Sequence, residues 1–192
     1  TVDDWRKAVH LAEYLLSTVD DVITIRPAGV NIIIRVFTDA SFDVHPDSKS
    51  HSGMAVFVGD AGCAMFSTSN KQHCLTRSST DAEIVAAENG VMMGNYFRDV
   101  LDELGIQAAV VQSQDNLSCI SLVETGTRAY DRKERHVVRR INFLKEYFDD
   151  SAHRSTMTWC PTDEMTADIL TKDLHAEAYC VHKAALIGEP GC

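Results

Sequence analysis

No run of apolar residues in this chain approaches the roughly 18 that a membrane-spanning helix needs, and no Cys-x-x-Cys pair is present to suggest zinc or redox chemistry. The six cysteines, Cys63, Cys74, Cys119, Cys160, Cys180 and Cys192, are scattered. That usage reads as free thiols in a reducing, cytoplasmic compartment. A basic-then-apolar leader is also lacking, since the chain opens Thr1-Val2-Asp3-Asp4, unlike a signal peptide. Internal repeats and low-complexity linkers are missing too. Net positive charge is absent: 18 basic against 28 acidic side chains give −10. A chain of that sign cannot grip nucleic-acid phosphates by bulk charge and would need a metal or a local basic surface. What remains is ordinary: 192 residues, 45% hydrophobic and 24% charged, enough for one domain with a real core and too apolar for a disordered chain.

Periodicity supplies the elements. Trp5, Ala8, Ala12, Leu15 and Val19 recur at spacings of three and four, which predicts a leading helix packed by that face. Ile32 to Asp39 is β-branched and apolar on both faces except at Arg35, as expected of a strand inside a sheet. Gly53–Val58 and Gly62–Phe66 are short apolar runs at hairpin spacing. Val85, Asn89, Met92, Tyr96, Val100 and Leu104 then mark a helical stripe closing at Gly105. Ala108–Val111 predicts a strand leading into Gln114-Asp115-Asn116, and Leu117–Val123 a helix after it. A second helical stripe runs through Val137, Ile141, Leu144 and Phe148. A strand at Thr156–Trp159 and a broken last helix from Met165 towards Leu186 follow. The pattern is α/β with a mixed five-stranded sheet.

Four carboxylates fall where side chains converge in such folds. Asp39 ends a strand, Glu83 lies in the first turn of the long helix, Asp115 ends a later strand, and Asp168 opens the last helical segment. If they converge they need hard cations, and oxygen ligands favour Mg²⁺ or Mn²⁺. Each has a plainer reading. Glu83 can close a capping box with Thr80, Asp115 can cap a helix, Asp39 can end a turn and Asp168 can be a solvated charge.

Six short blocks join the four acids: Phe37-Thr38-Asp39-Ala40-Ser41, Lys49-Ser50-His51-Ser52-Gly53, Asn70-Lys71-Gln72, Ser78-Ser79-Thr80-Asp81-Ala82-Glu83, Gln114-Asp115-Asn116 and Thr166-Ala167-Asp168-Ile169-Leu170-Thr171-Lys172. In this order they resemble the ribonuclease H domain of reverse transcriptase polyproteins of Ty1/copia-type retrotransposons. The resemblance implies a ribonuclease-H-like sheet flanked by helices over residues 31–192. It also implies an extra connecting helix and linker from the polymerase part over residues 1–30. The implied activity is metal-dependent hydrolysis of the RNA strand of RNA–DNA hybrids during reverse transcription, leaving a 3′-hydroxyl and a 5′-phosphate. By the same resemblance Asp39, Glu83, Asp115 and Asp168 hold two Mg²⁺, or Mn²⁺, with Asp39 bridging both. Asp168 would serve the water-activating ion, and Glu83 and Asp115 the ion at the leaving oxygen. The polymerase domain of the same polyprotein is an implied partner, and the implied setting is cytoplasmic, within virus-like particles.

The charge objection has a local answer. From Arg128 to Lys145 there are seven basic residues and two acids, a local +5. Arg135, His136, Arg139 and Arg140, with Ser41, Lys71, Arg77 and Asn116, are the expected nucleic-acid contacts. The chain also departs from the pattern. Ser41 stands where a second acid is common, Arg135-His136-Val137-Val138 replaces a Lys-His-Ile-Asp block, and Cys160–Glu164 lacks the loop histidine that helps product release. Glu164 could take that place or be a surface charge. Two other readings stand beside the nuclease: a catalytically silent docking module of a reverse transcriptase, and an integrase-like strand-transfer enzyme. The last acidic block is spaced unlike the second of these.

Overall fold

A computed structural model describes residues 1–26, 29, 32–126 and 135–188. The sheet has five strands in the order β3-β2-β1-β4-β5: β1 (Ile32–Ser41), β2 (His51–Val58), β3 (Phe66–Lys71), β4 (Ala108–Gln114) and β5 (Ser155–Trp159). β1 to β3 are antiparallel, while β1, β4 and β5 run parallel, so the sheet is mixed as expected. The helices are α1 (Val2–Ser17), α2 (Ser79–Glu103), α3 (Leu117–Thr125), α4 (Arg135–Asp149) and α5 (Ala176–Ile187). Among the described residues no helix is long and apolar enough to cross a membrane. The described cysteines, Cys63, Cys74, Cys119, Cys160 and Cys180, are free thiols.

Two clusters make the main core. Ile32, Ile34, Val36, Met54, Val56 and Val110 line the sheet face under α2, and Ile84, Val91, Cys119, Val137, Ile141 and Leu144 join α2, α3 and α4. The α4 stripe is buried as its spacing predicts. The stripe expected on α2 is not. Val85 is buried, but Met92, Tyr96, Val100 and Leu104 are exposed, and the side facing the sheet carries Ala82, Ala86, Gly90 and Gly94. A Cβ on Gly90 would lie 2.6 Å from Thr38 Cγ2, and one on Gly94 would lie 2.8 Å from Val110 Cγ1. Small residues therefore let this helix sit close on the strands that carry the site, while Ile84 and Val91 on its other buried side pack against α3 and α4.

Three other expectations are corrected. α1 is a capped helix closed by Thr1 and Asp4, but none of its residues is buried, so it does not pack by its apolar face against the described residues. The run Gly62–Phe66 is a connection rather than a strand. Its Ala64 N–H donates to Leu186 O at 3.0 Å, while the paired strand is the polar edge segment Phe66–Lys71. β1 lies in the middle of the sheet, yet only one of its faces is fully covered, since Ile33 and Arg35 are exposed.

Gly53 decides how the last acidic segment reaches the sheet. It pairs with Asp39 across β1 and β2, and a Cβ there would meet Thr171 Cγ2 at 2.7 Å, Leu170 Cβ at 2.8 Å and Ala167 O at 2.9 Å. Only a bare backbone admits the 3₁₀ turn Thr166–Leu170 at this distance. Gly53→Ala is expected to lower stability by roughly 1 to 3 kcal/mol through overpacking, read as a lower urea midpoint. An unchanged midpoint would mean that the segment is not seated there.

Candidate active site

Strand register brings the first two acids together. β1 and β4 are parallel with Phe37 opposite Ser113, so two residues further along each chain Asp39 comes level with Asp115, at the carboxyl edge of the sheet. Glu83 reaches the same point from the first turns of α2. Its plainer reading fails because Ser78, not Thr80, caps α2: Ser78 Oγ accepts from Asp81 N–H at 3.1 Å. Glu83 points inward instead, accepting from Ala40 N–H and from Gln114 Nε2, each at 3.3 Å. Asp115 is not a cap either, since Asn116 caps α3 by accepting from Cys119 N–H at 3.0 Å. Asp168 is only 4% exposed and so is no solvated charge.

Asp39, Glu83 and Asp115 each offer an oxygen within 4.8 Å of the others. Asp168 is outside that triplet and joins Asp39 through Lys172, whose Nζ is 2.8 Å from Asp168 Oδ1 and 3.1 Å from Asp39 Oδ1. Thr171 donates its hydroxyl to Asp39 Oδ2, and Thr162 donates to Asp115 Oδ2 at 3.3 Å. Gln114, Thr162, Thr171 and Lys172 are contacts the motif reading missed. Thr171 and Lys172 close the most specific block, whose resemblance drew attention to Asp168 alone.

The electrostatics follow from crowding. Burial, then the charges of Asp39 and Asp115, push Glu83 up to about 9. Burial, then Asp39, raises Asp115, against the pull of Lys172 and Thr162. Burial raises Asp168 to about 6 although its bond to Lys172 opposes this. Three converging carboxylates that cannot all ionise are a donor set short of positive charge. A hard divalent cation held by oxygen ligands supplies what it lacks. The residues therefore fit Mg²⁺ or Mn²⁺.

The expected nucleic-acid contacts separate into groups. Lys71 and Arg140 line one groove of about 920 Å³ between β2, β3 and α2, with Asn70, Met92 and Tyr96. Both are already paired, Lys71 with Asp47 and Arg140 with Glu88, each at 2.7 Å. Arg135, His136 and Arg139 are exposed at the start of α4, as is Arg77 before α2. Asn116 spends its side-chain oxygen on the α3 cap, and Ser41 donates to Thr171 O at 2.8 Å. Arg128, Arg132 and Lys133 of the basic stretch lie outside the described residues. Glu164 is exposed in the 3₁₀ turn Thr162–Glu164. A further surface groove between the starts of α2 and α3 is lined by Ser78, Thr80, Leu117, Ser118, Ser121 and Leu122. Its hydroxyls were not singled out in the sequence because serine and threonine at helix starts usually act as caps.

No family model matches the chain. It is similar to the retrovirus-related Pol polyprotein from transposon TNT 1-94 of Nicotiana tabacum, at 28% identity over 172 residues, 88% of this chain and 12% of that polyprotein. It is also similar to the Pol polyprotein from transposon RE2 of Arabidopsis thaliana, at 26% identity over 182 residues, 93% of this chain and 12% of the relative. The chain thus spans about an eighth of the length of these relatives. Among solved structures it resembles LC11-RNase H1, isolated from compost by a metagenomic approach. The TM-score is 0.53 at 17% identity, over 74% of this chain and 93% of that one. The complex of LC11-RNase H1 with an RNA/DNA hybrid matches with a TM-score of 0.52 at 14% identity, over 71% and 92% of the two chains.

Proposed function

We propose, for a chain that fits the ribonuclease H domain of a copia-type retrotransposon Pol polyprotein, that it hydrolyses the RNA strand of RNA–DNA hybrids during reverse transcription. The observation that carries the reading is the convergence of the buried Asp39 and Glu83 with the half-buried Asp115, with Asp168 tied to it through Lys172. In this reading residues 31–192 are the catalytic unit and residues 1–30 connect it to a polymerase part.

Asp39, Glu83, Asp115 and Asp168 would hold two divalent cations. These supply Lewis-acid activation of a water and neutralise charge on the leaving oxygen. The chain's own groups do the rest. Ala40 N–H and Gln114 fix the Glu83 carboxylate from two sides, which sets its orientation before substrate arrives. Thr162 orients Asp115 in the same way. The residues Ser78, Thr80, Ser118 and Ser121 line a groove between the starts of α2 and α3, and their hydroxyls suit the 2′-hydroxyls by which a site tells RNA from DNA. The exposed Arg135, His136 and Arg139 offer charge to the phosphate backbone, so binding should weaken steeply with salt.

The test is a panel of end-labelled duplexes. With Mg²⁺ the chain is expected to cut the RNA of an RNA–DNA hybrid and to leave RNA–RNA and DNA–DNA intact, and chelator should stop the cutting. Binding of hybrid without cutting under any divalent metal would point to a docking module. Cutting of double-stranded DNA would point to the integrase-like reading.

A further inference from the structure

A positive charge already stands among the acids. The ammonium of Lys172 touches Oδ1 of both Asp39 and Asp168, and the preceding residue, Thr171, takes the other oxygen of Asp39. Both oxygens of Asp39 are therefore engaged by two consecutive residues, and the carboxylate of Asp168 is joined to that of Asp39 across this ammonium.

The backbone that presents Lys172 is fixed from three sides. Ser41 donates to Thr171 O at 2.8 Å, and Ser69 donates to Leu170 O at 2.6 Å. Ser69 is in turn held by His51, at 2.7 Å, and Gly53 lies directly beneath the segment. The side chain is less confined: it is 35% exposed, while the carboxylates it joins are 2% and 5% exposed. A fixed backbone with a flexible, half-open stem can hold a charge in place and also withdraw it toward solvent.

We infer that Lys172 is the resident counter-cation of this site, bridging Asp39 and Asp168 while no divalent cation is bound and yielding that position when one binds. The inference rests on the metal-dependent reading above and adds a residue outside the four-acid set. A small divalent cation carries twice the charge and needs carboxylate oxygens at about 2.0 to 2.1 Å. Charge repulsion and crowding set it against an ammonium already bonded to Asp39 Oδ1 and Asp168 Oδ1. Metal and lysine are thus alternatives, and by linkage each weakens the hold of the other.

Calorimetric titration of Mn²⁺ into the metal-free chain tests this. Lys172→Met is expected to bind Mn²⁺ about tenfold more tightly than wild type, a typical size for such coupling, and to melt a few degrees lower without metal. Lys172→Arg, which keeps the charge, should stay near wild type. If wild type binds Mn²⁺ and Lys172→Met binds it equally or less well, the inference is overturned while the metal site stands. If neither binds, the metal-dependent reading falls and the inference with it. Should Lys172→Met not fold, the lysine ammonium signals of wild type in ¹H–¹⁵N NMR, assigned through Lys172→Arg, serve instead. The Lys172 signal should be protected in chelator and shift or vanish on saturation with Mg²⁺. A signal unmoved by saturating metal overturns the inference.

Discussion

Asp39→Asn is expected to lower cleavage of hybrid RNA by at least ~10³-fold, equivalent to about 4 kcal/mol of transition-state stabilisation. Among the described acids Asp39 is the one in contact with both halves of the site: it belongs to the triplet with Glu83 and Asp115, and it shares Lys172 with Asp168. An amide has one oxygen where the carboxylate has two, so it cannot bridge two cations as an anion. It also cannot accept from both Thr171 and Lys172 with full strength, which costs roughly 1 to 3 kcal/mol of stability. Hybrid affinity, carried by surface charge, should change only a few-fold. Single-turnover cleavage beside filter binding separates the two effects, and an Asp39→Asn chain that still cuts would remove Asp39 from the chemistry.

Glu83→Gln carries the second large effect, and its sign on stability is unusual for a buried polar residue. Glu83 ordinarily ionises near 4.5, and in the folded chain burial and the charges of Asp39 and Asp115 raise this to about 9. Between those values the unfolded chain has released a proton that the folded chain retains, so the metal-free fold loses stability as pH rises through that window. Gln has no proton to lose. Glu83→Gln should therefore flatten the slope and, in chelator at pH 8, make the chain more stable by on the order of 2 kcal/mol. Part of that gain is lost because an amide nitrogen then faces one of the donors Ala40 N–H and Gln114 Nε2. Cleavage should be lost at the same time. Urea unfolding of both chains at pH 6, 7 and 8 in chelator reads the slope. A variant less stable than wild type at every pH would contradict the crowding argument.

Much of the site could be read from the chain before its fold was known, and what escaped has identifiable causes. Asp39 and Asp115 were legible because strand ends in a parallel pair come level. Glu83 was ambiguous because Thr80-Asp81-Ala82-Glu83 is a good capping box, and only the cap at Ser78 resolves it. Asp168 looks like a surface charge unless Gly53 is known to admit its segment onto the sheet. Lys172 is not legible in the sequence because a lysine near a helical segment is usually solvated; its pairing depends on contacts with β1, β2 and β3, far away in sequence.

The fold shows the same division. The mixed sheet and the α4 stripe follow from local periodicity. β3 is a polar edge strand with no apolar alternation to betray it, and α2 meets the sheet largely through alanine and glycine, which a search for large apolar residues overlooks. The apolar residues of α1 follow the helical period but are exposed among the described residues, Trp5 at 71% and Leu15 at 58%. Periodicity reports that a face exists, not what covers it.

The central claim is that the converging acids form a working ribonuclease H centre. The direct measurement is cleavage of an RNA–DNA hybrid in Mg²⁺ by the wild-type chain beside Asp39→Asn purified in parallel, which controls for contaminating nuclease. The account predicts RNA fragments with 3′-hydroxyl and 5′-phosphate ends from wild type and none from the variant. Equal cutting by both, or none by a wild-type chain that binds Mn²⁺ and hybrid, would contradict it.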